Sequence, residues 1–268
     1  MTNLKQRVIY GALFAALTLA MIIANVYTRI AFFLACSLIS CHEMRGALKH
    51  CGYDVQYWPP VLLCLLGSLL LFIGKAGYVF PMFIVIMVAL FGQMILFGKV
   101  SVKNVFATMA VCAYPVSPIL LMVYISNSDI LWAAVFLNGI LPAILSDTFA
   151  LFGGRRFGKR KLSPHISPNK TVEGLFCGLA AGTASGFLVH LILSALKRCV
   201  IPLWAEVITA LIASLAGALG DLAASAIKRE AKIKDYSHLI PGHGGMLDRV
   251  DSSLFAIPVA YMIYAFFI

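Results

Sequence analysis

Residues 203–268 read LWAEVITALIASLAGALGDLAASAIKREAKIKDYSHLIPGHGGMLDRVDSSLFAIPVAYMIYAFFI. Two apolar runs, 203–226 and 252–268, flank a polar island from Ser225 to Asp251. At 1.5 Å per residue the first run approaches the ~30 Å needed to cross the hydrocarbon of a bilayer. The island holds Lys228, Arg229, Lys232, Lys234, Asp235, His238, His243, Asp248, Arg249 and Asp251 around a Pro-Gly-His-Gly-Gly turn. An ionisable group beside hydrocarbon costs at least a few kcal/mol, so a membrane chain keeps such a cluster where something charged is handled. Aspartates beside Lys and Arg suggest a divalent cation and a phosphate.

Composition extends the membrane reading to the whole chain. Of 268 residues, 61% are hydrophobic and 12% charged, and the mean hydropathy is +0.93. Soluble domains carry about 25% charged residues. The formal charge of +10 then fits anionic headgroups or an anionic substrate, and the apolar content argues against nucleic acid. The seven cysteines show no CxxC pairing and read as small packing residues. Lys5 and Arg7 precede an apolar stretch without a clear A-x-A cleavage site, which reads as a retained first helix.

The expected fold is all-α: one polytopic integral membrane domain, 1–268, with about nine spans. These are 8–24, 28–45, 59–74, 78–98, 104–125, 130–151, 173–195, 203–226 and 252–268. Residues 1–140 supply N-terminal helices; 141–268 form a catalytic portion with loops 152–172 and 227–251. With the N-terminus in the cytoplasm, 17 of the 21 Lys and Arg lie inside, as the positive-inside rule favours. Both polar loops then share the cytoplasmic face and are expected to build one site.

On the eighth span Asp221, Ser225 and Lys228 follow i, i+4, i+7 spacing and line one helical stripe. Gly217 and Gly220 beside them permit close backbone approach. Asp248 and Asp251, three apart at the start of the ninth span, also share a face; if the two helices pack together, three carboxylates and a hydroxyl converge at the cytoplasmic end. Such oxygen ligands suit Mg²⁺, and three carboxylates are enough to bridge a second cation. The competing reading makes Asp248 and Asp251 caps of the last helix; Asp221 has no such local reason to be charged. Pro241-Gly242-His243-Gly244-Gly245 reads either as an ordinary turn or as a loop exposing N–H groups to phosphate, with His243 a donor or a plain loop residue. No cysteine lies near His238 or His243 in sequence, which argues against zinc there.

A second intramembrane carboxylate, Asp147, follows Ser146 near the end of the sixth span. The stretch GGRRFGKRKLSPHISPNKTVEG, 153–174, then carries Arg155, Arg156, Lys159, Arg160, Lys161 and Lys170. This density fits polyphosphate or a lipid headgroup, and part of it is also explained as a topology signal. Within SPNKTVEG, Thr171 or Asn169 reads as a helix cap, with Glu173 in the first turn. Glu43, near the end of the second span, reads as interfacial. Glu206 is given no role, and His190 reads as a packing residue.

The string S-x-I-K-R-x4-K-D-x-S-x2-I-P-x-H-G-G-M-x-D-R-V-D, Ser225 to Asp251, resembles the motif of the phosphatidate cytidylyltransferase (CDP-diacylglycerol synthase) family. Ser146-Asp147-Thr148 and the following Gly-Lys, Ser-Pro-x-Lys-Thr and Glu-Gly elements resemble it too. The likeness is strong over 146–251 and general over 1–140. Leu151 stands where relatives often have Tyr, and Ala224 where many have Glu. The resemblance implies an Mg²⁺-dependent membrane enzyme that transfers the cytidylyl group of CTP to phosphatidic acid, giving CDP-diacylglycerol and pyrophosphate.

In that frame Asp221, Asp248 and Asp251 are the expected metal ligands, Ser225 supports them, and Lys228 and Arg229 hold phosphate. Substrate-binding positions are expected at Asp147, Lys159, Lys161, Ser167, Lys170, Thr171, Lys234, Asp235, His243, Gly244, Gly245 and Arg249. The implied location is a bacterial plasma membrane with the site facing the cytoplasm; a homodimer is compatible with an enzyme of this size. The nearest rival is a CTP-dependent polyprenol-type lipid kinase, which releases CDP. A CDP-alcohol phosphotransferase lacks support because its D-G-x2-A-R motif is absent, and a cation transporter would not need such basic loops.

Overall fold

The computed structural model describes residues 13, 16–98, 100–128, 131–240, 242 and 244–267. The described chain is almost wholly helical and forms two compact units. One comprises Met1–Asn127 with Lys228–Arg249; the other comprises Ser128–Ile227 with Val250–Ile268. The sequence thus leaves the first unit, builds most of the second, and returns a polar segment to the first.

In the first unit residues 16–24 are helical, followed by α1 (Val26–His50), α2 (Trp58–Phe72), α3 (Val79–Phe97), α4 (Val102–Val111) and α5 (Ser117–Ser126). Asn25 opens α1 with a capping box: its Oδ1 accepts from Thr28 N at 2.9 Å, and Thr28 Oγ1 accepts from Asn25 N at 3.2 Å. Pro59 and Pro60 start α2, where a missing N–H costs nothing. Gly98, at φ 61°, closes α3 in the left-handed conformation. The expected span 104–125 is not one regular helix. Pro115 removes a backbone donor, and a π-turn over Cys112–Val116 joins α4 to α5. The core is dense around Cys36, Cys41, Leu63, Cys64, Val111 and Val123. The cysteines among these are unpaired packing residues, as the sequence suggests.

The second unit holds α6 (Leu131–Phe157), a hairpin of β1 (Lys161–Ser163) and β2 (Ser167–Thr171), α7 (Val172–Ala195), α8 (Leu203–Glu230, whose end enters the first unit) and α10 (Ser253–Phe267). The intervening α9 (Leu247–Val250) belongs chiefly to the first. Gly174, Gly178, Gly182 and Gly186 recur every fourth residue, so they form one buried stripe on α7. A Cβ at Gly178 would lie 2.5 Å from Ser146 O, and one at Gly186 2.7 Å from Val207 Cα. This small-residue face lets α7 pack backbone-close against α6 and α8.

Among the described residues, five helical segments are long and apolar enough to cross a membrane: Ala76–Phe97, Val102–Ser126, Leu131–Phe157, Val172–Ala195 and Leu203–Glu230. The first is only 11% buried, an apolar exterior suited to lipid rather than water. The other expected spans are not among these five. At 15 residues each, α2 and α10 extend ~22 Å, less than the hydrocarbon layer. Arg29, Glu43, Arg45 and Lys49 interrupt α1. Part of the expected span 8–24 lies outside the described residues. The expected loops are also more ordered than hydropathy suggests, because helices continue past the apolar run. Thus α6 includes Gly153–Phe157 and α8 extends to Glu230, while 161–171 forms an antiparallel hairpin with Lys161 opposite Thr171.

Candidate active site

In the second unit, carboxylates from three elements gather at one end of the helices. Asp147 lies on α6, Asp221 on α8, and Asp251 in the turn before α10. Ser252 links two of them. Its Oγ lies 3.4 Å from Asp147 Oδ2 and 3.5 Å from Asp251 Oδ1, and its N–H donates to Asp251 Oδ1 at 2.7 Å. Gly220 makes the third approach sterically feasible: a Cβ there would lie 2.6 Å from Asp251 O. Thus the glycine preceding Asp221 admits the backbone of Asp251 against α8. Lys170, on β2, forms an ion pair with Asp221. One ammonium therefore stands against a group of three carboxylates.

The hairpin that delivers Lys170 is held by its own contacts. Thr171 Oγ1 caps α7 by accepting from Gly174 N at 3.1 Å. Glu173 Oε2 accepts the backbone N–H groups of Lys159 at 2.9 Å and Arg160 at 3.1 Å. Val172 N donates to Arg160 O at 2.9 Å. Lys159 and Lys161 stay exposed on this anchored hairpin, Ser167 and Lys170 are part-buried, and Arg155 and Arg156 are exposed at the end of α6. Of the two cap candidates Thr171 makes the bond, and its hydroxyl is engaged there.

In the first unit the described residues of the polar island gather around Asp248. Its Oδ1 pairs with Lys228 Nζ at 2.7 Å, while its Oδ2 accepts from Tyr236 N and Gly245 N, both at 2.9 Å. Lys228 Nζ also lies 5.4 Å from the Tyr236 ring centroid. Gly244 has φ +83° and a Cβ there would lie 2.8 Å from Asp248 Oδ2, so this position demands glycine. The loop closes through Ile240 N donating to Gly244 O at 2.9 Å.

Glu43, on α1, anchors this loop. Its Oε1 accepts from Ser237 Oγ at 2.6 Å and Met246 N at 2.9 Å, and its Oε2 accepts from Leu247 N at 2.7 Å. A Cβ on Gly245 would collide with Glu43 Oε1. Glu43 is 3% exposed, so the carboxylate is buried but provided with donors. Sequence reasoning places it at the interface and misses this role. The usable signal is the one applied to Asp221, an acid within an apolar run.

The other expected residues are placed as follows. Asp221 and Ser225 share the uninterrupted helix α8 with Lys228 and Arg229. Asp248 and Asp251 do not share a continuous helix: α9 ends at Val250, Asp251 and Ser252 form a turn, and α10 starts at Ser253. The helix-face argument for these two aspartates therefore fails. Arg229, Lys234 and Arg249 are exposed, and Asp235 is part-buried. His243 lies outside the described residues.

A cytidylyltransferase family model matches residues 5–267 of the chain. Among curated proteins, the chain is 44% identical over 126 residues to the phosphatidate cytidylyltransferase of Bacillus subtilis, covering 46% of this chain and 44% of that protein. It is 44% identical over 123 residues to the one from Staphylococcus saprophyticus, covering 46% of each. For the Brucella suis enzyme the figures are 42% over 122 residues, with 46% and 43% covered. The matched region spans just under half the length of each relative.

Proposed function

The chain belongs to the cytidylyltransferase family, and from that premise we propose that it transfers the cytidylyl group of CTP to phosphatidic acid, yielding CDP-diacylglycerol and pyrophosphate. The observation that carries this reading is the group Asp147, Asp221 and Asp251, with Ser252 linking Asp147 to Asp251 and Lys170 paired to Asp221. Carboxylates facing an ammonium form a place for a cation and for phosphate. The named relatives supply the substrate class.

The donor chemistry fits Mg²⁺, which takes hard oxygen ligands and retains water and substrate phosphate. Within the second unit Asp221 and Asp251 would hold it, with Ser225 in support; in the first unit Asp248 offers a further carboxylate, and carboxylates of this number would suit a second cation. Asp248 accepts three hydrogen bonds; a carboxylate offers about four acceptor positions, so one remains for an ion. Bound there, Mg²⁺ supplies positive charge at the phosphate oxygens.

A phosphatidic acid oxygen attacks the α-phosphorus of CTP; the new P–O bond forms as the bond to the β-phosphate oxygen breaks, and pyrophosphate leaves. The lipid phosphate is already ionised at neutral pH, so no protein base is required. Lys170, Lys228 and Arg229 reduce repulsion between the anionic reactants. Lys159 and Lys161 draw the CTP phosphates or the headgroup to the hairpin, with Ser167 beside them. Asp147 fixes Ser252, and Thr171 and Glu173 fix the hairpin. In the first unit the Asp248 loop would offer Gly244, Gly245, Lys234, Asp235 and Arg249 to phosphate, and His243, outside the described residues, would serve as a further phosphate donor. The enzyme sits in the bacterial plasma membrane with this site toward the cytoplasm, where CTP is available, and assembles as a homodimer; light scattering in detergent checks the assembly.

The test is product analysis of the purified full chain given α-labelled CTP, phosphatidic acid and Mg²⁺. Labelled CDP-diacylglycerol with pyrophosphate, abolished by EDTA, is the expected result. Free CDP with a phosphorylated lipid instead contradicts the proposal and indicates the polyprenol-type kinase.

A further inference from the structure

At the other end of α7 lies a second group of metal-ligating side chains. His190 sits 18 residues along from Val172, on the order of 27 Å of helix, near the end of α7. Cys199 lies in the α7–α8 connection, and Glu206 in the first turn of α8. One ligand atom from each lies within 4.8 Å of the others. We propose that His190, Cys199 and Glu206 bind a divalent transition metal of the zinc class, separate from the phosphate-handling carboxylates.

Three observations carry this assignment. The first is spacing. Cys199 Sγ and His190 Nδ1 are 3.5 Å apart. A tetrahedral zinc ion holding sulfur at ~2.3 Å and nitrogen at ~2.05 Å sets those atoms about 3.5 Å apart. A Glu206 carboxylate oxygen lies within 4.8 Å of both atoms.

The second is the state of Glu206. It is fully buried, and its two oxygens are treated unequally. Oε2 accepts from Tyr264 Oη at 2.6 Å and from Asn138 Nδ2, whereas buried Oε1 has no hydrogen-bond partner among the described residues. Buried carboxylate oxygens are ordinarily satisfied. One oxygen oriented by outer donors and the other left over is the pattern of a metal-ligating carboxylate.

The third is charge. Metal entry displaces the Cys199 thiol proton, which at present points to Ile201 O at 3.3 Å. Thiolate, carboxylate and neutral imidazole then balance a dication, giving a site of zero net charge and one released proton. Neutrality matters here because Glu206 lies within an apolar helix, where a lone carboxylate is costly. Sulfur with imidazole selects zinc-class ions over Mg²⁺. Exposed Cys199, part-buried His190 and buried Glu206 give the ion an inward path. The basic neighbour Arg198 stacks over Trp132 at 5.7 Å.

The experiment strips the detergent-purified full chain with chelator, reloads it with Co²⁺ and removes excess metal. Expected are roughly one retained Co²⁺ per chain and a thiolate-to-cobalt charge-transfer band. Cys199→Ser should abolish the band, and His190→Gln should weaken Co²⁺ retention at least about tenfold. Circular dichroism checks that both variants keep their helices, and Zn²⁺ should displace Co²⁺. Absence of the band in the parent chain, or its persistence in Cys199→Ser, overturns the proposal. Neither result depends on cytidylyl transfer, so this site and the proposed function stand or fall separately.

Discussion

Asp248 and Asp221 are both aspartates in the polar regions of a greasy chain, yet their surroundings differ. Asp248 has a side chain 3% exposed, with both oxygens held by Lys228 and two backbone N–H groups. Asp221 has a side chain 25% exposed and pairs with Lys170 from a surface hairpin. The first carboxylate organises a loop; the second belongs to a more open group of carboxylates beside one ammonium. Charge near a membrane thus does two jobs, and the number of backbone donors on a carboxylate separates them.

That contrast breaks most sharply under paired substitution. Asp248→Ala removes one partner of a buried ion pair and strands two peptide donors, a loss of about 3–5 kcal/mol, with turnover abolished. Asp221→Ala should change stability by less than about 1 kcal/mol, as for an accessible pair. Its turnover should nevertheless fall about 10²–10³-fold, the scale of removing a preorganised electrostatic contact. Thermal unfolding beside turnover checks both.

Glu43 extends the loop side of the comparison. Glu43→Ala leaves the Met246 and Leu247 N–H groups without their acceptor, at about 1–3 kcal/mol each. Limited proteolysis should then cut the 231–246 segment faster than in the parent. Equal cutting rates would deny Glu43 its anchoring role.

Lys170 sharpens the open side. Lys170→Met should raise the KM for CTP about tenfold, equivalent to one charge-assisted contact, while melting stays near the parent value. A change in melting alone would make Lys170 structural. The smallest effect expected is that of Thr171→Ala, which loses the α7 cap at about 1 kcal/mol, read from chemical unfolding.

Much of this organisation was legible in the sequence because hydropathy and helical spacing are local. The long helices α6, α7 and α8 follow directly, as does the position of Asp221 on α8. Pro115 was visible, but an apolar run alone did not reveal that it divides 104–125. The hairpin from Lys161 to Thr171 escaped because its order comes from Glu173 gripping Lys159 and Arg160, a contact across 14 residues. Glu43 escaped more completely: its partners lie 194 to 204 residues away, beyond any local pattern. The helix break between Asp248 and Asp251 was hidden by a three-residue spacing that also suits a continuous helix.

The most direct test of the central claim is the rate of CDP-diacylglycerol formation by Asp221→Asn, measured with labelled CTP at a temperature where unfolding curves show variant and parent equally folded. The account predicts a loss of at least about a hundredfold with unchanged melting. A rate within a few-fold of the parent would contradict it and return Asp221 to the role of a helix-surface ion pair.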